Sequence, residues 1–138
     1  MTPFARPEVA AVFSHYPDTV RAVMLAVREL IFDVAAGIPA VGLMDETLKW
    51  GEPAYLTPAS RSGSTVRIDW KPRTPEVCGI YFNCQTDLVE RFRTLFGDVL
   101  TFEGNRAVLV ALGRPLPVPA LHLCIAAALT YHSDKALR

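Results

Sequence analysis

The stretch Ser64-Thr-Val-Arg-Ile-Asp-Trp-Lys71 alternates between apolar and polar side chains. Successive side chains of an extended chain project to opposite sides, so the apolar residues share one face. The pattern therefore predicts a β-strand with one face against a core and the other in water. Arg67 and Lys71 fall on the face opposite to Trp70, and we expect them to be solvated.

Two more segments have the composition of strands. Residues 77–82 follow the turn-like segment Pro72 to Pro75, which indicates an antiparallel partner for the first strand. Residues 106–112 are rich in β-branched and aliphatic side chains and predict a buried strand. Gly79 beside Tyr81 leaves room for a close approach at the middle strand.

Helical spacing of apolar residues recurs in four segments. They cover residues 7–16, residues 18–34 with a stop at Gly37, residues 88–96, and residues 119–131. The second helix has a polar face that we expect to meet water, formed by Arg21, Arg28, Glu29 and Asp33. Together the elements predict an α+β fold of two layers, in which a mostly antiparallel sheet packs against N-terminal and C-terminal helices.

Size and composition restrict the class of protein. The chain has 138 residues, which predicts a single domain over residues 1–138. Its 14 basic and 14 acidic side chains leave no net charge, which disfavours nucleic acid as a partner. Three cysteines are too few for a secreted disulfide framework, and no signal peptide or membrane-spanning segment is apparent. We expect a cytoplasmic protein without a membrane partner.

The run Glu46-Thr-Leu-Lys-Trp-Gly-Glu-Pro-Ala-Tyr55 gathers two acids, one base and two aromatic residues around a glycine and a proline. This run resembles the Glu-x-x-x-Trp-Gly-x-Pro-x-Tyr signature of the YdhG-like family of small bacterial domains, most of which have no assigned function. The resemblance continues through residues 79–82, the helix around Phe92 and the strand at residues 106–112, and so covers most of the chain.

The resemblance implies a YdhG-like α+β fold and, because some relatives are described as frataxin-like iron chaperones, an iron-binding alternative. Iron handling of that kind depends on clustered carboxylates, since a hard cation binds several oxygens. The long second helix offers only Glu29 and Asp33 against Arg21 and Arg28. An acidic patch would have to be assembled from separated residues of the chain.

A candidate ligand pocket is formed by Glu46, Lys49, Trp50, Glu52 and Tyr55. Its aromatic residues would wall a small ligand and its charges would orient that ligand. In the alternative interpretation the run is a structural corner, where Trp50 plugs the core and Glu46 pairs with Lys49 at the surface. The leading hypothesis is a non-enzymatic module that binds a small molecule or a protein partner here, and a homo-oligomer remains open.

An enzyme that uses Glu46 or Glu52 as a general acid or base is the third hypothesis. The sequence has no nucleophile elbow, phosphate-binding glycine loop or His-x-x-x-His spacing, and it indicates no cofactor. His122 and Cys124 lie two apart in a predicted helix, where they point away from each other. We expect Cys78 and Cys84 to be buried as small hydrophobic residues, and the identity of any metal stays undefined.

Overall fold

The computed structural model describes residues 1–136. Its helices are α1 (Pro7–His15), α2 (Asp18–Ala36), α3 (Leu88–Phe96), α4 (Val118–Leu129) and α5 (Tyr131–Ala136), with a short 3-10 helix at Pro39–Val41. Its strands are β1 (Asp45–Lys49), β2 (Glu52–Leu56), β3 (Val66–Trp70), β4 (Val77–Tyr81), β5 (Thr101–Glu103) and β6 (Ala107–Ala111).

The strands form one antiparallel sheet in the order β1-β2-β3-β4-β6-β5. The first four strands follow one another along the chain, whereas α3 carries the chain from β4 to the edge strand β5 before β6 returns beside β4. Helices packed on an antiparallel sheet confirm the predicted α+β class. None of the helices within residues 1–136 is long and apolar enough to cross a bilayer.

One face of the sheet packs against the helices. The ring of Phe32 in α2 meets Tyr55 of β2 edge to face with their centroids 5.9 Å apart, and Tyr16 meets Trp70 of β3 at 6.4 Å. Ile68 and Ile80 are buried in the same layer. Because side chains alternate along a strand, the residues between them project to the opposite, open face of the sheet.

The segment that joins β2 to β3 docks on the end of α4. The Ser64 N–H donates to the carbonyl of Ala128 at 2.8 Å, and the Ser62 hydroxyl donates to the carbonyl of Leu129 at 2.8 Å. Between them Gly63 lies so close to α4 that an added Cβ would be 2.8 Å from the Leu129 Cα. This contact ties the sheet to the C-terminal helix.

We expect Gly63→Ala to lower the free energy of unfolding by about 1–3 kcal/mol, because the new methyl group meets backbone atoms of Leu129 that cannot move aside cheaply. Gly113→Ala is the matched control, since a Cβ at Gly113 would have no neighbour within 4 Å. Urea unfolding of both variants measures the difference. Equal midpoints for the two variants would contradict this account of the α4 contact.

Candidate functional site: a basic and aromatic cavity

The run Glu46–Tyr55 is a β-hairpin rather than an irregular corner. β1 and β2 pair from Asp45 opposite Leu56 to Lys49 opposite Glu52, and only Trp50 and Gly51 lie between them. Both turn residues have left-handed backbones, with φ of 52° for Trp50 and 77° for Gly51. Positive φ at both central residues is the geometry of the type I′ turn, which matches the twist of paired strands.

Strand alternation divides the five candidate residues between the two faces of the sheet. Glu46 and Tyr55 are opposite each other in the hairpin and both are buried on the helix side. Lys49 and Glu52 are also opposite each other, but they lie on the open face, where Trp50 joins them. The five residues therefore belong to two different sites.

On the helix side, Glu46 forms a buried ion pair with Arg28 of α2. The Arg28 Nε and Nη2 donate to the two carboxylate oxygens of Glu46 at 2.6 and 2.9 Å. The Tyr55 hydroxyl donates to the same carboxylate at 2.8 Å. Burial raises the pKa of the Tyr55 hydroxyl, and the negative charge of Glu46 raises it further, so Tyr55 stays a neutral donor.

Arg28 has no solvent exposure, which contradicts the expectation that it meets water on the polar face of α2. Its guanidinium donates to the carbonyls of Thr2 and Pro3 at 2.6 and 3.3 Å, and the ring of Phe4 covers it at 3.8 Å. Burial alone lowers the pKa of Arg28, but the hydrogen bonds and charge of Glu46 outweigh burial and raise it. The N-terminal segment and Glu46 thus replace the water that Arg28 has lost.

The alternative interpretation predicted a surface pair of Glu46 with Lys49 and a buried Trp50, and both predictions are wrong. Glu46 pairs with Arg28 instead, and the Trp50 side chain is 86% exposed. Trp50 therefore makes no contribution to the core. The structural interpretation of the motif therefore applies to Glu46 and Tyr55 but not to Trp50.

On the open face, the hairpin turn borders a cavity of about 640 Å³. We call it the basic–aromatic cavity, and its lining includes Lys49, Trp50, Glu52, Arg67, Asn83 and Arg106. The volume falls within the range of about 300–1,000 Å³ that small-molecule sites occupy. Three of the side chains that line the cavity are cations and one is an acid, although the whole chain carries no net charge.

Arginine and aromatic side chains alternate along the open face of the sheet at this cavity. The Arg67 guanidinium lies 4.9 Å from the centroid of the Trp50 ring and 5.4 Å from that of Tyr81. The Arg106 guanidinium also contacts Tyr81, at 5.3 Å from the centroid of its ring. The Tyr81 side chain lies against Gly79, where an added Cβ would be 2.7 Å from a ring atom, so the close approach expected there is confirmed.

Glu52 fixes the position of Arg67 and leaves the other two cations free. Its carboxylate is paired with Arg67 and with Lys71, whose Nζ lies 3.3 Å away. Within residues 1–136, neither Lys49 nor Arg106 has a carboxylate at salt-bridge distance. The cavity therefore presents positive charge that no described residue neutralises.

Arg106 was not among the candidate residues, and the basic cluster Arg61, Arg67, Lys71 and Arg73 was expected to be a solvated sheet face rather than an anion site, whereas the Arg67 side chain is only 21% exposed. The sequence around Arg106 predicts only the start of a strand, because Arg106 follows the turn Glu103-Gly104-Asn105 and has no motif around it. Alternation did put Arg67 on the face opposite to Trp70, as the structure confirms, but the aromatic residue that accompanies it is Trp50. Pairing of the hairpin with β3 was the missing information.

No group of three His, Cys, Asp or Glu side chains that could share a metal ion occurs among the residues that the structure describes. Frataxin-like iron binding and acid–base catalysis by Glu46 or Glu52 stay predictions from the sequence. The chain matches no family model, no curated protein and no solved structure. Membership of the YdhG-like family is therefore also a prediction, carried by the residues quoted above.

We expect Glu46→Gln to lower the free energy of unfolding by about 3–5 kcal/mol, because it leaves the buried Arg28 charge without its main partner. The neighbouring variant Asp45→Asn is the control, since the Asp45 pair with Arg6 is solvent-exposed and its loss should change little. Urea unfolding at neutral pH compares the two. Similar losses for both variants would rule out a special role for the buried pair.

The cysteines differ in exposure, and the expectation that Cys84 is buried was wrong. Cys78 and Cys124 are buried, whereas Cys84 is exposed beside the cavity. Burial raises the pKa of the Cys78 thiol to about 11 and that of Cys124 to about 12. The two buried thiols therefore stay protonated and unreactive at neutral pH.

A chromogenic thiol reagent should modify one cysteine in the native protein and all three in denaturant. Cys84→Ser should abolish the reaction of the native protein and leave two reactive thiols after unfolding. Reaction of the native Cys84→Ser variant at the rate of the parent protein would contradict the assignment.

Proposed function

We propose that the chain is a binding module whose basic–aromatic cavity takes up a small anionic ligand. The observation that carries the proposal is the excess of positive charge in a cavity of about 640 Å³ in a chain with no net charge. A volume of this size favours a small molecule over a protein partner. The proposal keeps Lys49, Trp50 and Glu52 of the candidate pocket. Glu46 and Tyr55 instead stabilise the hairpin from the helix side of the sheet.

Preorganisation supports this proposal. An arginine held by a carboxylate and by aromatic rings loses less side-chain freedom when a ligand arrives. Arg67 has both kinds of support, from Glu52 and from the rings of Trp50 and Tyr81. Glu52 acts here as a positioning residue, because the charge it places in the cavity is already paired with Arg67 and Lys71.

Neither catalysis nor a resident metal is part of the proposal. Both acids of the candidate pocket are bound to cations, Glu46 to Arg28 and Glu52 to Arg67. A cytoplasmic location remains a prediction that rests on the small number of cysteines.

The test is a titration with inorganic phosphate, monitored by ¹⁵N–¹H NMR spectra of the backbone and the arginine side chains. We expect shifts centred on residues 49–52, 67 and 106, and a loss of affinity of about tenfold for Arg106→Gln, because one charged hydrogen-bonding partner is removed. Added sodium chloride should weaken the binding.

Arg73→Gln is the control, since it removes the same charge from an exposed turn outside the cavity. Equal affinities for the Arg106→Gln and Arg73→Gln variants would exclude the cavity as the anion site. Shifts that spread over the whole surface would do the same.

A further inference from the structure

The Trp50 ring is unusual in both exposure and backbone conformation. It is 86% exposed, although burial of such a ring is worth several times that of a small apolar side chain. Its φ of 52° places a bulky residue in the left-handed region, where glycine and asparagine are far more common. Neither property contributes to the stability of the fold.

Within residues 1–136, the one cation or aromatic contact of the indole is with Arg67, whose guanidinium lies over the ring at 4.9 Å from its centroid. The 86% exposure of the side chain leaves the opposite face in water. Phe82, the other aromatic residue that lines the cavity, is 3% exposed, and Tyr81, which lies against the two arginines, is 8% exposed. Trp50 is therefore the ring that a ligand can reach.

The free cations line the same cavity as this free ring. Lys49 precedes Trp50 in the hairpin, and Arg106 enters from the start of β6. Each carries hydrogen-bond donors that no described carboxylate accepts. A ligand that satisfies both features must have a flat apolar part and an anionic part.

We infer that the cavity binds a planar aromatic anion whose ring stacks on the free face of Trp50 and whose carboxylate or phosphate binds Arg106 and Lys49. This inference rests on the proposed anion-binding function and adds the ring. The guanidinium of Arg67 beneath the indole strengthens the stack, because the indole then lies between a cation and the ligand ring. A ringless anion uses only the charges, and a neutral ring uses only the stack.

The experiment compares four probes in the same titration: adenosine 5′-monophosphate, indole-3-carboxylate, ribose 5-phosphate and adenosine. The indole N–H resonances of Trp50 and Trp70 report stacking, and the Arg106 side-chain resonance reports the anion. We expect both aromatic anions to shift the Trp50 resonance and leave that of Trp70 in place. Whichever of these two anions binds more tightly indicates whether the anionic group of the ligand is a phosphate or a carboxylate.

Trp50→Asn removes the ring and keeps the turn, because Asn-Gly is the preferred pair for a type I′ turn. The variant should unfold at the same or a higher urea concentration than the parent. It should lose about tenfold in affinity for the aromatic anions, as expected for one stacking contact, and much less for ribose 5-phosphate, which loses only the support that the ring gives to Arg67.

The outcomes separate this inference from the function on which it rests. If ribose 5-phosphate binds as tightly as adenosine 5′-monophosphate and Trp50→Asn changes neither, the ring is irrelevant and the inference fails while anion binding stands. If adenosine binds as tightly as its monophosphate, the anion is irrelevant and both proposals fail. Absence of any shift at Trp50 and Arg106 with all four probes overturns both as well.

Discussion

The buried ion pair between Arg28 and Glu46 is the interaction on which the rest of the structure depends. A guanidinium without solvent exposure requires acceptors from the protein, and here they come from β1 and from the chain before α1. The pair therefore joins α2, the first strand and the N-terminal segment at one point. Once Glu46 faces the helices, the two-residue period of the strand directs Lys49 to the opposite face.

The same hairpin thus serves two purposes with alternate residues. Its inner residues Glu46 and Tyr55 share a hydrogen bond that holds β1 to β2 from within. Its outer residues and its turn border the cavity, where their charges and the Trp50 ring meet water. The same charges would be costly if they were buried in a core. A change on the inner face removes a buried contact and destabilises the whole domain, whereas a change on the outer face removes no core contact and acts on the cavity.

The regular elements were predictable because their signals are local. Apolar residues recur with a period of two in residues 66–70 and with helical spacing in residues 88–96. The strand and the helix lie where these patterns predict them. The hairpin was missed because a charged residue, Glu46, faces inward, and because Trp50 is an atypical residue for its turn. β5 spans only three residues and has too few positions to display a pattern.

The roles of Arg28 and Arg106 are not predictable from local sequence, since they depend on partners distant in the chain. Arg28 borders the apolar stripe of α2, four residues after Met24 and three before Ile31, so periodicity alone does not decide which way it points. Its partner Glu46 lies 18 residues away. Arg106 joins the cavity only because β6 pairs with β4, a contact that skips α3 and β5.

The docking of Ser62 and Ser64 on the end of α4 has a consequence for synthesis in the cell. The carbonyls that accept their hydrogen bonds belong to Ala128 and Leu129, which leave the ribosome after all six strands. At translation rates of about 5–20 residues per second, the helix-facing side of β3 waits on the order of several seconds for its C-terminal cover. During that interval the part of the apolar sheet face that α4 covers is exposed to chaperones and to neighbouring nascent chains.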